Sequence, residues 1–253
     1  MSSRGRALAG LSALAGLAPS PVLEARLDRA APLLRQLAPD PSLDDAGWAA
    51  LLDATTVQET SLFRSPGQLA ALEAALPPLL LAARAAGRPF ALLSAGCATG
   101  EEAYTLAAIA QHAAMLHAPG TAIRVLGLDI SRIALNDAET GEIGLRMGQP
   151  LAQVPDAYRP WFRGAGEVPR LHPALRDCLA FRRASLTDLP DDLGCFDVAL
   201  CRNVLIYMTE AAKRTVLEGL ARHVLPGGLL ALGPTDRAGA PFVPLAHGLY
   251  RHG

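Results

Sequence analysis

An alternation that begins at Phe90 constrains the fold of this chain more than any other feature. Residues 90–94 form a short apolar run closed by a loop of small residues. Helical spacing follows over 101–117, a second apolar run over 123–129 ends in an acid, and Ser131 opens a helix that reaches Gly141. Parallel strands need a crossover connection, and a crossover helix covers one face of the sheet, so this order predicts an α/β fold with helices on both faces. The pattern resumes with apolar runs at 179–183 and 196–201 and a helix over 209–224. A Pro226-Gly227-Gly228 turn then leads into a run from Leu229 to Gly233, and residues 248–251 can add one edge strand.

The first 88 residues read differently. Val22, Leu23, Leu27, Ala30, Leu33, Leu34 and Leu37 mark one helix, stopped by Pro39 and Pro41, and a second helix burying Trp48, Leu51 and Leu52 starts near Ser42 or Asp44. Ser65-Pro66-Gly67-Gln68 reads as a helix start with a capping box, leading to a helix kinked at Pro77-Pro78. The sequence therefore divides into a helical domain over 1–88 and an α/β domain over 89–253. Within the second, residues 142–177 carry too many prolines for a central strand and are expected to form a small inserted subdomain facing the substrate, with Tyr158, Trp161 and Phe162 as its own apolar cluster. Arg4 and Arg6 before the apolar stretch 7–18 have the layout of a secretory signal, but Pro19 and Pro21 spoil the cleavage site, and a short amphipathic or frayed helix is expected instead.

Lys and Arg number 23 and Asp and Glu 24, a balance that argues against nucleic acid as a partner. No apolar run approaches the roughly 20 residues of a membrane span. Cys97, Cys178, Cys195 and Cys201 form no metal-ligand or disulfide spacing, which fits a reducing cytoplasm and no metal. A monomer is expected.

Chemistry concentrates where the first strand turns into a helix. Ser94-Ala95-Gly96-Cys97-Ala98-Thr99-Gly100 lets backbone amides approach a ligand closely, yet it is neither a P-loop nor a G-x-G-x-x-G turn. Glu101 and Glu102 follow, placing negative charge where a pyrophosphate would bind and favouring a ligand that is cationic at that end, as S-adenosylmethionine is. The same two acids equally complement the helix dipole. Asp129 ends the second strand, where an acid accepts from a ribose in doubly wound folds; an Asp two residues before Ser131 can equally belong to a helix cap.

Four segments in order, Thr60-Ser61-Leu62-Phe63-Arg64, the loop from Ser94 to Tyr104, the run Cys201-Arg202-Asn203-Val204-Leu205-Ile206-Tyr207, and Leu225 to Gly233, resemble the CheR-type methyltransferases that esterify glutamates of chemotaxis receptors. The resemblance runs from about Gln58 to Arg251. It implies a Rossmann-like S-adenosylmethionine-dependent sheet, with a chemoreceptor's cytoplasmic domain as protein substrate and S-adenosylhomocysteine as product. It further implies that Thr60 and Arg64 lie near the cofactor and the reacting methyl, that Glu101 or Glu102 is the acid following the loop, and that Asp129 is the ribose acid. Gly96 belongs to the cofactor loop, Asn203-Val204 matches a cofactor-contacting pair, and Tyr207 matches the active-site tyrosine. Arg64 and Tyr207 are thus the catalytic candidates, although on spacing alone Arg64 could serve a salt bridge and Tyr207 a core.

Departures from the pattern are also plain. Gln58 stands where an Asn is usual, and Ser185-Leu186 where an Asn-Leu pair contacts adenine. Gly233-Pro234-Thr235-Asp236 replaces a Gly-His-Ser-Glu type sequence, and residues 1–90 hold eight arginines against eight acids, so no strongly basic docking face is expected. The rival readings are a methyltransferase for another acceptor and a regulatory module that binds cofactor without catalysing.

Overall fold

The computed structural model describes residues 2–143, 151–162 and 169–253. Helix α1 (Ser3–Ala15) starts at Ser2, whose hydroxyl accepts from the Gly5 amide, and stops at Gly16 in the left-handed region, where glycine has no Cβ penalty. It is packed rather than frayed, burying Ala7, Leu11 and Ala15. The stripe read as one helix divides into α2 (Pro21–Arg29) and a 3-10 turn over Ala31–Arg35, since Pro32 cannot extend the α-helical ladder. Helix α3 (Ala46–Thr55) is capped by Asp45, which accepts from the Trp48 amide at 2.9 Å. Trp48 is fully buried among Leu11, Leu27 and Leu51, and its indole N–H donates to the Ala38 carbonyl at 3.2 Å.

Helix α4 (Pro66–Ala85) corrects one expectation. No capping box forms: Ser65 lies at φ 64 with no side-chain cap bond, and the buried Gln68 amide donates instead to the carbonyls of Leu232 and His247. The helix also continues through Pro77 and Pro78. Leu69, Leu72, Leu76 and Leu80 bury one face of it in the main core, and at roughly 1.5–3 kcal/mol per buried leucine this offsets the ~3 kcal/mol cost of each interior proline.

The sheet then forms in the order the alternation implied: β1 (Phe90–Ala95), α5 (Glu101–His117), β2 (Ile123–Asp129), α6 (Arg132–Thr140), the short α7 (Pro173–Arg176), β3 (Leu179–Arg183), β4 (Phe196–Cys201), α8 (Glu210–His223), β5 (Val224–Leu232), β6 (Phe242–Ala246) and β7 (Leu249–His252). Its spatial order is β3-β2-β1-β4-β5-β7-β6. The first five strands are parallel, and β7 runs antiparallel to both its neighbours. The expected C-terminal edge strand is therefore interior, and the edge is β6, whose Pro244 an edge position tolerates. The Pro226-Gly227-Gly228 turn lies inside β5, at a register shift against β4. Helix α4 packs on α5, β1 and β7, so the helices that pack around Trp48 end with α3, well before residue 88.

Of the insertion expected over 142–177, residues 144–150 and 163–168 lie outside the described residues. Glu142 and Arg170 pair in an isolated bridge, and none of the described residues joins the sheet. Its aromatic residues do not form a cluster of their own. Tyr158 meets the Phe63 ring at a tilt and Phe162 meets it edge-on, at centroid distances of 4.9 and 6.1 Å, and the Tyr158 hydroxyl donates to Glu73 of α4. Among the described residues, no helix is long and apolar enough to cross a membrane.

Parallel order reverses between β1 and β4, so their carboxyl ends leave a crevice where neighbouring connections diverge. The helices α1 to α3 lie over that crevice. A Cβ at Gly10 of α1 would stand 2.0 Å from the Trp48 ring. Gly10→Ala is expected to destabilise the protein by about 1–2 kcal/mol in urea unfolding, because overpacking exceeds the helix-propensity gain. Unchanged or increased stability would show that α1 does not pack on Trp48.

Candidate functional site

Gly96 leaves β1 at φ 83, and a Cβ there would stand 2.4 Å from a methyl of Val204. Only glycine lets the β1–α5 turn and the β4 exit approach so closely. The amides of Gly96 and Cys97 both donate to the Leu128 carbonyl, tying the turn to the end of β2. Asp129 follows, with one carboxylate oxygen accepting from the Ala98 amide at 2.8 Å and the other from the Ser131 amide at 2.9 Å. The cap reading of Asp129 is therefore realised, yet each oxygen keeps a second lone pair for a ligand. Burial pushes the Asp129 carboxyl pKa up, while the amides of Ser131, Ala98 and Ile130 pull it back.

The two acids of α5 separate cleanly. Glu102 accepts from the Ser94 hydroxyl at 2.8 Å and from the Arg202 guanidinium at 2.7 Å, with its side chain 9% exposed and that of Arg202 3%. Of the two alternatives, the Glu102 carboxylate is the one engaged in a buried ion pair. Glu101, about 100° around the helix, accepts from the Thr99 hydroxyl at 2.6 Å and borders an open cleft.

A crevice lies at the carboxyl ends of the strands. Its floor brings together Gly96, Asp129, Leu186, Asn203, Val204 and Tyr207, with Asn203 in the left-handed region at φ 59. Its roof is the α1–α2 connection with the start of α2 and the end of α3, including Leu17, Val22, Leu23 and Thr56. This strap pairs with the loop that carries Tyr207: the Ala18 amide donates to the Tyr207 carbonyl and the Thr209 amide to the Gly16 carbonyl, both at 2.9 Å. A neighbouring cleft shares Thr56 and Val57 with the first and holds Gln58, Thr60 and Glu101. Thr60 continues into a third depression, which holds Arg64. Tyr207 and Arg64 therefore stand in different hollows of one connected surface.

Two expected contacts are reassigned. The Ser185 hydroxyl donates to the Leu14 carbonyl at 2.6 Å, in the last turn of α1, and only Leu186 of that pair faces the crevice. Gln58 borders the second cleft, but its amide donates to the Ser131 hydroxyl at 2.9 Å and to the Asp53 carbonyl. Sequence reasoning missed the roof. Its only signal was an apolar Leu17 and Val22 on either side of Pro19 and Pro21.

The arrangement suits an adenosyl cation. Asp129 has lone pairs for a vicinal diol, Leu186 and Val204 give apolar walls for a base, and Glu101 offers negative charge nearby. Among the described residues, no Lys or Arg lines the first crevice to counter the charge of a pyrophosphate. Among the described residues, no group of His, Cys, Asp and Glu is placed to hold a metal ion.

Residues 58–240 match the family model described as CheR methyltransferase, SAM binding domain. The chain is 37% identical over 189 residues to the probable biofilm formation methyltransferase WspC of Pseudomonas putida, covering 74% of this chain and 43% of that protein. It is 32% identical over 191 residues to chemotaxis protein methyltransferase 1 of Pseudomonas aeruginosa, covering 74% of this chain and 68% of that one. Among solved structures, a SAM-dependent methyltransferase from Methanosarcina mazei overlaps 57% of this chain and 51% of its own, at 19% identity and a TM-score of 0.36. The chain thus spans less than half of one of these curated relatives and about two thirds of the other. With a Rossmann-like sheet, the crevice at its switch point and this match, the chain belongs to the CheR methyltransferase family, whose cofactor is S-adenosylmethionine.

Proposed function

We propose that this chain transfers a methyl group to a glutamate side-chain carboxylate of a protein in the cytoplasm, the acceptor being the signalling region of a chemotaxis receptor. The observation that carries this reading is the crevice in which Gly96, Asp129, Val204 and Tyr207 meet, within a chain of this family. When bound, S-adenosylmethionine supplies an electrophilic methyl group on a sulfonium. A glutamate side chain is ionised at neutral pH, so the residues of this chain need not remove a proton. Their task is in-line orientation of the carboxylate against the methyl group. Tyr207, half-buried on the crevice floor, presents a hydroxyl and a ring face suited to a cation. The Arg64 side chain has no hydrogen bond or ion pair among the described residues, and its forked guanidinium suits the incoming carboxylate. Gln58 and Ser185, the two departures near the cofactor, are engaged in holding the helices α1 to α3. They therefore do not argue for decay.

Incubation with radiolabelled S-adenosylmethionine and receptor fragments tests the reading. Label released as methanol by base identifies a carboxyl ester; stable label points to another acceptor group, and cofactor binding without label to a regulatory module. Arg64→Ala and Tyr207→Phe are expected to slow single-turnover transfer by roughly two orders of magnitude while changing S-adenosylhomocysteine affinity less than about tenfold. Wild-type rates in both would remove them from the reaction.

Asp129→Asn is expected to weaken S-adenosylhomocysteine binding by about 1.5–3 kcal/mol. Because the Asp129 pKa is raised by burial, its carboxylate takes up a proton at a higher pH than a free one does. Ribose donors need the charged form, so affinity should hold at neutral pH and fall as pH drops through that raised pKa. Calorimetry across the acid range should show this slope in the wild type and lose it in the variant; an unchanged slope would assign it to another group.

A further inference from the structure

We propose that Arg202 is a positioning residue that fixes the backbone of Arg64, and that the buried pair it forms with Glu102 exists to hold that loop; this rests on the methyl-transfer reading above. The guanidinium of Arg202 is spent in three directions. Its Nε donates to Glu102 at 2.7 Å, and its Nη1 donates to the Arg64 carbonyl at 2.8 Å and to the Gln68 side-chain oxygen at 3.2 Å. Glu102 is held in turn by Ser94, and Gln68 by the carbonyls of Leu232 and His247. One connected polar network therefore runs from β1 through α5 and the β4 exit to the Arg64 loop and the β6–β7 turn.

The loop it grips is strained. Phe63 and Ser65, on either side of Arg64, have φ values of 52 and 64, a region that residues with a Cβ adopt at a cost and keep only when their surroundings impose it. Those surroundings are visible. The Phe63 amide donates to the Thr105 hydroxyl at 3.1 Å, the Gln68 amide donates to the Ser65 carbonyl at 3.0 Å, and Arg202 takes the carbonyl between them. The Arg64 backbone is thus fixed on three sides while its side chain has no partner among the described residues. A buried ion pair contributes little net stability compared with apolar packing, so its place beneath this loop is better explained by geometry than by stabilisation. Lysine carries the same charge but, as a point donor on a flexible stem, cannot reproduce the fork that reaches Glu102, Arg64 and Gln68 together.

The test is a double-mutant cycle read alongside limited trypsin cleavage of the Arg64–Ser65 bond. Arg202→Lys is expected to slow single-turnover methyl transfer at least about tenfold with S-adenosylhomocysteine affinity within about threefold, and to cause less than about twofold further loss in an Arg64→Ala background. Cleavage after Arg64 should rise while cleavage at other sites stays constant. Equal losses in both backgrounds, a loss that tracks cofactor affinity, or a wild-type rate would each overturn the proposal. If Arg202→Lys fails to fold, Glu102→Gln is read by the same criteria. If the wild-type protein transfers no methyl to any acceptor, the methyl-transfer reading fails, and cleavage alone decides: an unchanged rate after Arg64 overturns the positioning role and a raised rate supports it.

Discussion

The crevice exists because the helices α1 to α3 are locked over the carboxyl ends of the parallel strands, and one carboxylate on α3 bonds directly to the start of α6. Asp53, its side chain 5% exposed, accepts from the Arg132 amide at 2.8 Å and the Ser131 hydroxyl at 3.1 Å, and pairs with the Arg132 guanidinium at 2.9 Å. It thereby caps α6 from another part of the chain, where the helix dipole favours an anion. Arg183 at the end of β3 adds donors to the carbonyls of Ile130 and Leu43, and Ser185 reaches the end of α1. These contacts all gather at the carboxyl ends of β2 and β3, beside Asp129. The strap from Gly16 to Ala18 can then pair with the Tyr207 loop and roof the crevice.

That dependence explains why the unusual residues here need not weaken cofactor binding. Gln58 and Ser185 replace side chains that the resemblance placed near the cofactor, and both donate instead to the elements that carry the roof. The side chains that still border the clefts are Asp129, Glu101 and the apolar Leu186 and Val204, on short connections from the sheet. Rigid strands position the floor and separately docked helices position the roof, so the site is assembled between two parts of the chain, as ligand clefts often are.

Much of this was legible in the residues. Gly100 before α5, Ser131 before α6 and Thr209 before α8 are local signals, and the helices begin at Glu101, Arg132 and Glu210. Each of these signals depends on neighbours within one turn. What sequence could not supply depended on distant partners. Gln68 looked like half of a capping box because nothing local shows that Leu232 and His247 would claim its amide. Nothing local to Pro77 and Pro78 shows that burial against α5 and the sheet would offset their cost inside one helix. The strand over Phe242–Ala246 was hidden by its own Pro244, acceptable only once the strand is known to lie at the edge. Glu101 and Glu102 were indistinguishable until Arg202, 100 residues away along the chain from Glu102, took one of them.

The central claim is that the adenosyl group lies between the Leu17 strap and the carboxyl ends of β1 to β4. A crystal structure with S-adenosylhomocysteine tests it most directly. The account places the ribose hydroxyls within hydrogen-bond distance of Asp129, the base against Leu186 and Val204 beneath the strap, and the amino-acid end toward Glu101. Density for the ligand elsewhere, such as the open hollow beside β6 and β7, or a ribose turned away from Asp129, would contradict it.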